Sequence, residues 1–340
     1  MRAGRARALG PGLALGCILA AGCSGPPGEP LQVTVPPGVP FSAVVDSLEA
    51  RGVVRHATAF RMYASLRGDD RRIRAGRYEL TPGSGWNQIL GILVEGRVVT
   101  IPMTVPEGFR LAQMAPRIAQ VAEAPAEEVL ATLRAEGAAE AYDVPGPGLE
   151  GYLFPDTYRF AAGVPVPAII RAMTRRYRSV WTPERRARLD SLGLTEREAV
   201  TLASIVQAEA RRPEEMPRIA SVYHNRLRRG WLLQADPTVL YALGGYRERL
   251  LFAAIDSVAD SPYNTYRKAG LPPGPIGAPG EEAIHATLYP VPEPYLYFVA
   301  RADGSHVFSR TLAEHNRAVA SARRERAGAG REARGSGAAP

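Results

Sequence analysis

The chain has 340 residues, a net charge of +8 and 46% hydrophobic side chains, enough for more than one compact domain. Nearly all the positive charge is arginine, with Lys268 the one lysine, and part of it lies in the two tails. No dense basic face interleaved with aromatics is visible, which argues against a nucleic-acid partner. A mildly basic surface instead suits an anionic polymer or a membrane. The two cysteines, Cys17 and Cys23, both fall near the N-terminus, so the body has no disulfide and no thiol chemistry. His56, His224, His285, His306 and His315 show no ligand spacing, and neither a metal nor a cofactor is expected.

The first segment, 1–23, has the layout of an export signal. Arg2, Arg5 and Arg7 precede an apolar stretch from Leu9 to Ala21, followed by Gly22 and Cys23. That stretch is short beside the roughly 20 residues a membrane-spanning helix needs. Leu19-Ala20-Ala21-Gly22-Cys23 resembles a bacterial lipoprotein cleavage site, with Cys23 the lipidated residue; an uncleaved anchor helix is the alternative. Both readings hold the protein at the cell membrane, with the body in the periplasm or cell exterior. The Gly/Pro-rich stretch 24–30 would be a tether.

Residues 31–100 read as strand, helix, helix, strand, helix: Leu31–Val35, Phe41–Arg51, Ala57–Arg67, Gly76–Leu80 and Trp86–Glu95, the last ended by Gly96. The strand-turn-helix pattern of Val33–Leu48 returns weakly at Val105–Ile118. Such a module resembles the LysM domains that bind N-acetylglucosamine polymers, although a generic small α+β module fits the pattern equally well. Residues 101–148 read as a connecting strand-helix segment, acidic and Ala-rich from Ala122 to Ala141 and closed by Pro145-Gly146-Pro147-Gly148. A second, larger domain follows over 149–321, and 322–340 reads as a disordered basic tail. The expected fold class is α+β.

Within the second domain one helix can be placed from its signals. Thr195 and Glu198 form a capping box, so the helix starts at about Glu196. Ala199, Leu202, Ala203, Val206 and Ala210 mark its buried face, and Arg211, Arg212 and Pro213 close it. Glu209 falls roughly 80° from the centre of that face. A carboxyl group there is part-desolvated, which raises its pKa and suits a general acid; an ordinary boundary Glu paired with an Arg is the competing reading.

Six polar-aromatic motifs lie in order around it: L-E-G-Y-L-F-P-D-T-Y (Leu149–Tyr158), the Glu209 helix itself, S-V-Y-H-N-R-L (Ser221–Leu227), L-Q-A-D-P-T-V-L-Y-A-L-G (Leu233–Gly244), S-P-Y-N-T-Y-R-K-A-G-L-P-P-G-P-I (Ser261–Ile276), and P-Y-L-Y-F-V-A (Pro294–Ala300) with H-V-F-S and E-H-N behind it. Together they resemble the endolytic murein transglycosylases, the MltG-like or YceG-like family, over roughly residues 31–320. The resemblance implies a lyase that cuts the MurNAc-GlcNAc bond inside peptidoglycan glycan strands, and cell-wall synthases (penicillin-binding proteins) as partners. It maps the catalytic acid onto Glu209. Many members also carry Glu two residues earlier, where this chain has Gln207.

Substrate contacts are expected from Glu150, Tyr152, Asp156, Gln207, Asn225, Gln234, Asp236, Thr238, Asn264, Thr265 and Tyr266. Tyr152, Phe154, Tyr158, Tyr223 and Tyr263 are candidates for stacking on sugar faces, and Leu271–Pro275 for a wall of the cleft. Blander readings stand beside these. Asp236 before Pro237 can start a turn or a helix, Glu150 can pair with an Arg, and Tyr295, Tyr297 and Phe298 can be core. Two alternatives in function are a hydrolytic muramidase using Glu209 with Asp236 or Glu150, and a non-catalytic glycan-binding scaffold.

Overall fold

The computed structural model describes residues 28–245 and 252–335, with side chains to 327. The export segment, Cys23 and most of the tether lie outside the described residues. The fold is α+β and divides into two units. One takes in the chain up to Ile101 together with Arg159–Ala162, and the other holds Pro102–Tyr158 and the chain from Gly163 onward.

In the first unit the order is β1 (Leu31–Val35), α1 (Phe41–Ala50), α2 (Ala57–Leu66), β2 (Gly76–Leu80) and α3 (Trp86–Glu95). These are the elements read from the sequence, with the two N-terminal helices one residue shorter at their ends. β1 and β2 pair antiparallel with Val33 opposite Tyr78. Val33 and Val35 are buried while their neighbours Gln32 and Thr34 are exposed, the alternation of a one-sided sheet. Val44, Val45 and Leu48 of α1, Phe60 of α2 and Ile89, Leu90 and Leu93 of α3 complete this core. Each such side chain, fully buried, contributes about 1.5–3 kcal/mol.

β3 (Thr100–Thr104) pairs with β4 (Thr157–Ala161) in a further two-stranded sheet. The helices of the second unit run α4 (Leu111–Ala122), α5 (Ala126–Leu133), α6 (Ala138–Ala141), α7 (Val166–Val180), α8 (Pro183–Leu192), α9 (Glu196–Glu209), α10 (Met216–Arg228), α11 (Asp236–Ala242), α12 (Phe252–Ser257) and α13 (Glu281–Leu288). The hairpin β5 (Tyr297–Ala300) and β6 (His306–Ser309) follows, and α14 (Leu312–Gly335) ends the described chain. From Pro102 on, the segment read as a connector groups with this second unit, where α4 and α5 pack on each other.

α9 is the centre of the second unit. Its N-terminus has the capping box expected of Thr195 and Glu198: Glu198 N–H donates to the Thr195 hydroxyl at 3.2 Å, and Thr195 N–H donates to Glu198 Oε2 at 2.8 Å. The helix has no wet face over its middle, since every residue from Ala199 to Val206 is buried. α10 and α13 pack against it and against each other. The polar residues on that stretch turn inward: Thr201 donates to the Arg197 carbonyl and Ser204 to that of Thr201, each at 2.7 Å. Burial on all sides replaces the single apolar stripe expected from the sequence.

The loop before α13 is strapped to α9 by two hydrogen bonds. Ile276 N–H donates to the Ser204 hydroxyl at 3.0 Å, and Gly280 N–H to Gln207 Oε1 at 2.9 Å. The same loop pairs with the turn before α4, through Gly108 N–H to the Ala278 carbonyl (2.7 Å) and Ala278 N–H to the Phe109 carbonyl (2.9 Å). The approach is close enough that a Cβ on Gly277 would lie 2.7 Å from the Gly108 carbonyl oxygen.

The C-terminal segment departs from expectation. Residues 322–335, read as part of a disordered tail, continue α14. Its Ala-, Arg- and Glu-rich composition has high helix propensity, Glu314 caps the start by accepting from Arg310 N–H at 2.8 Å, and Ala322 is buried. Among the described residues no helix is long and apolar enough to cross a membrane.

Candidate active site

Glu209 is the last residue of α9, where the helix opens into a pocket of about 350 Å³. α10 supplies Tyr223 and Arg226 to the lining, the loop before α11 supplies Gln234, Asp236 comes from the first residue of α11, and Tyr266 from the loop beyond α12. The β5–β6 hairpin closes the other side with Phe298 and His306, and His315 of α14 adds a second imidazole.

Each wall has a local cause. Tyr223 is buried and edge-on to Phe298 (5.8 Å between ring centroids), and its hydroxyl donates to Glu209 Oε1 at 2.8 Å. The other carboxylate oxygen, Oε2, has no hydrogen-bond partner among the described residues. Burial pushes the Glu209 carboxyl up to about 7, opposed by the Tyr223 hydrogen bond and helped by the negative charge of Asp236. The group can thus hold a proton near neutrality and release it, the property a general acid needs.

Arg226 is the brace of the far wall. Its buried guanidinium donates to the Leu296 carbonyl and to that of Leu233, each at 2.7 Å. Burial lowers its pKa, but an arginine this far above neutrality stays charged. Asn225 beside it donates to the carbonyls of Glu293 and Tyr295, both at 2.8 Å. Asp236 accepts from the Tyr266 hydroxyl, and burial holds the Tyr266 phenol above its ordinary range.

Of the residues expected to contact substrate, Gln234, Asp236 and Tyr266 line the Glu209 pocket. The others have different work. Thr238 and Thr265 are buried and share a hydrogen bond at 2.8 Å, and Asn264 donates to the Ile255 and Val258 carbonyls. Asn225 and Gln207 hold backbone, as described. Asp156 forms a surface ion pair with Arg176 at 2.8 Å. Glu150 lines a separate cavity with Arg110, Arg134, Tyr241 and Tyr263. Its carboxylate accepts from Leu111 N–H at 3.1 Å, and burial raises its pKa to about 7.

The stacking candidates are corrected too. Tyr152 is fully buried and edge-on to Tyr177 at 5.2 Å, so its ring is core. The ring of Phe154 lies under the Arg176 guanidinium, 4.6 Å away, and Tyr158 donates to the Phe154 carbonyl at 2.7 Å. Tyr263 lies against Tyr241 at 4.7 Å in the Glu150 cavity. Tyr223 reaches the pocket, where its hydroxyl bonds Glu209. Leu271, Pro272 and Pro273 border a different hollow with Leu194, Arg197 and Leu227, and so back α9 rather than wall the cleft. Phe298, read as core, is pocket wall.

Arg226, His306 and His315 had no assigned role from sequence. His306 and His315 stood in the quoted H-V-F-S and E-H-N strings, and Arg226 in S-V-Y-H-N-R-L. A charged residue inside an otherwise buried helix was the available signal for Arg226.

The profile of the YceG-like family matches residues 33–321. The chain is 34% identical over 304 residues to the endolytic murein transglycosylase of Bacillus subtilis strain 168, covering 85% of this chain and 83% of that protein. It is 31% identical over 320 residues to the endolytic murein transglycosylase of Streptococcus pneumoniae strain D39, with 85% of this chain but 58% of that longer protein covered. The crystal structure of a YceG-like protein from Listeria monocytogenes matches with a TM-score of 0.58 and 34% identity, over 85% of this chain and 99% of that one. By the extent of these matches and the order of its motifs, this chain belongs to the YceG-like family.

Proposed function

We propose that this protein is an endolytic murein transglycosylase, a lyase that cleaves the MurNAc-GlcNAc bond within glycan strands and leaves 1,6-anhydro ends, with Glu209 as its catalytic acid. The observation that carries the residue assignment is a part-buried carboxyl at a helix end, raised to about 7, in a polar pocket with Tyr223 on one oxygen. In this reaction no water is consumed. Glu209 protonates the bridging oxygen as the C1–O bond breaks, the muramic acid's own C6 oxygen closes onto C1, and in the simplest scheme its proton returns to the Glu209 carboxylate. That nucleophile is tethered to the reacting carbon, so proximity replaces the second carboxylate of an ordinary glycosidase. Gln234, Asp236 and Tyr266 offer amide, carboxylate and phenol groups to the sugar.

The first unit is read as a LysM-like glycan-binding module. Its support is a two-stranded antiparallel sheet with two helices between the strands. The N-terminal segment would hold the enzyme at the membrane, by lipidated Cys23 or by an uncleaved helix. The catalytic unit would then face the periplasm or cell exterior and act on new strands beside the cell-wall synthases.

A hydrolytic muramidase is the second reading, because Asp236 lines the same pocket as Glu209. Glu150, in its own cavity, is the weaker partner for that chemistry. Mass spectrometry of purified murein digested by wild type and Glu209→Gln separates the readings. Anhydro ends from wild type, lighter than reducing ends by ~18 Da, and none from the variant support the lyase. Reducing ends alone from wild type would sink it, and a fully active Glu209→Gln would remove Glu209 as the acid.

A further inference from the structure

The pocket is lined by an imidazole, His306, that the scheme above leaves unused and that a carboxylate outside the lining holds. Glu215, immediately before α10, accepts the backbone N–H of His306 at 3.0 Å through Oε1 and contacts its ring Nδ1 at 2.7 Å through Oε2. Where Glu215 Oε2 accepts from Nδ1–H, the tautomer that leaves Nε2 without a proton makes Nε2 the acceptor. The ring is held in place by Phe298, edge-on at 5.4 Å, and by Phe308 at 6.2 Å. The His306 side chain is 3% exposed and that of Glu215 14%, so the pair is sheltered from bulk water. Among the described residues nothing is hydrogen-bonded to Nε2, although the residue lines the same pocket as Glu209.

We propose that His306 is a second catalytic group of this pocket, receiving through Nε2 the proton of the muramic acid C6 hydroxyl, with Glu215 as the residue that positions its ring. The inference rests on the transglycosylase reading. Bonds and protons balance without any co-reactant. The Glu209 proton passes to the bridging oxygen as the bond from MurNAc C1 to that oxygen breaks. The C6 oxygen bonds to C1, and its proton passes to Nε2. Glu209 carboxylate and His306 imidazolium then reset by proton exchange with solvent. Dividing the work spares Glu209 from having to lose one proton before it can take another.

Other groups in the pocket fit this role less well. Asp236 already accepts the Tyr266 hydroxyl. His315 is stacked on Tyr297 at 5.2 Å, and its buried Nδ1 has no partner among the described residues to fix a tautomer.

The test is digestion of purified murein by full-length His306→Gln and Glu215→Gln, with anhydro and reducing ends counted by mass spectrometry. Loss of a general base costs about 10²–10⁴-fold in rate, so His306→Gln is expected to slow by at least about 100-fold. Its residual products should also shift toward reducing ends, because slower ring closure lets water compete for C1. Glu215→Gln should show a smaller loss with the same shift. A merely structural role would lower the rate and leave the product ratio at the wild-type value, which overturns the proposal, as does a wild-type rate. Should His306→Gln fail to fold, Glu215→Gln, which leaves the imidazole itself in the chain, decides by the same ratio. Wild type yielding only reducing ends would instead remove the transglycosylase reading, and this inference with it. Anhydro ends from wild type with unchanged variants remove this inference alone.

Discussion

Replacing Glu209 by Gln should make the fold more stable while abolishing activity, and the gain should depend on pH. The Glu209 carboxyl is raised from 4.5 to about 7, chiefly by burial. The folded state therefore holds this proton more tightly than the unfolded chain, and wild type loses stability as pH rises from about 4.5 through about 7. A shift of about 2.5 units corresponds to about 3 kcal/mol at pH 8, falling below about 1 kcal/mol at pH 5 where the folded carboxyl keeps its proton. Glutamine is neutral at both values and retains an oxygen to accept from Tyr223, so the variant escapes this loss. Urea titrations of wild type and Glu209→Gln at pH 5 and pH 8, followed by tryptophan fluorescence, measure the difference directly. A stability gap that stays the same at the two pH values, or widens toward pH 5, would refute the claim that a buried, proton-holding Glu209 underlies the site.

Two further outcomes follow from the same geometry. Activity that needs protonated Glu209 should decline as pH rises through about 7, the value its burial sets; a rate profile still flat at pH 9 would count against Glu209 as the donor. Gly277→Ala places a Cβ 2.7 Å from the Gly108 carbonyl oxygen, and a contact between two backbones has no flexible side chain to yield. The expected cost is about 1–3 kcal/mol, read as a lowered urea midpoint, and a variant as stable as wild type would show that the two loops separate easily.

The sequence signals and the structure agree best where a signal is local. T-x-x-E placed the start of α9 correctly because the capping box is made within four consecutive residues. Alternation in Leu31–Val35 located a strand for a similar reason. The helix's surroundings were not readable, because Thr201 and Ser204 look like a wet face until their hydroxyls are seen bonded to their own helix. The same ambiguity affected Thr238, Asn264 and Thr265. An amide or hydroxyl suited to a sugar is equally suited to a buried carbonyl, and the fold uses these on backbone. Tyr152 and Phe154 looked like stacking platforms for want of any local sign that they are core. The Glu215–His306 contact joins residues far apart in sequence, and neither neighbourhood announces the other.

Helix α10 has a consequence for how this pocket can change. The outer wall, β5–β6, is a hairpin that pairs with no third strand among the described residues. Ser221, Asn225 and Arg226 grip the chain leading into it by donating to the carbonyls of Glu293, Tyr295 and Leu296, while Tyr223 on the same turns reaches Glu209. A single inserted residue would rotate one part of this set by about 100° relative to the other. The wall would lose its grip or the acid its tyrosine, and neither could be restored without the other. Variation in substrate fit is therefore easier to reach through Gln234 and Tyr266, whose side chains make no hydrogen bond to α10 among the described residues, than through the helix that holds acid and wall in register.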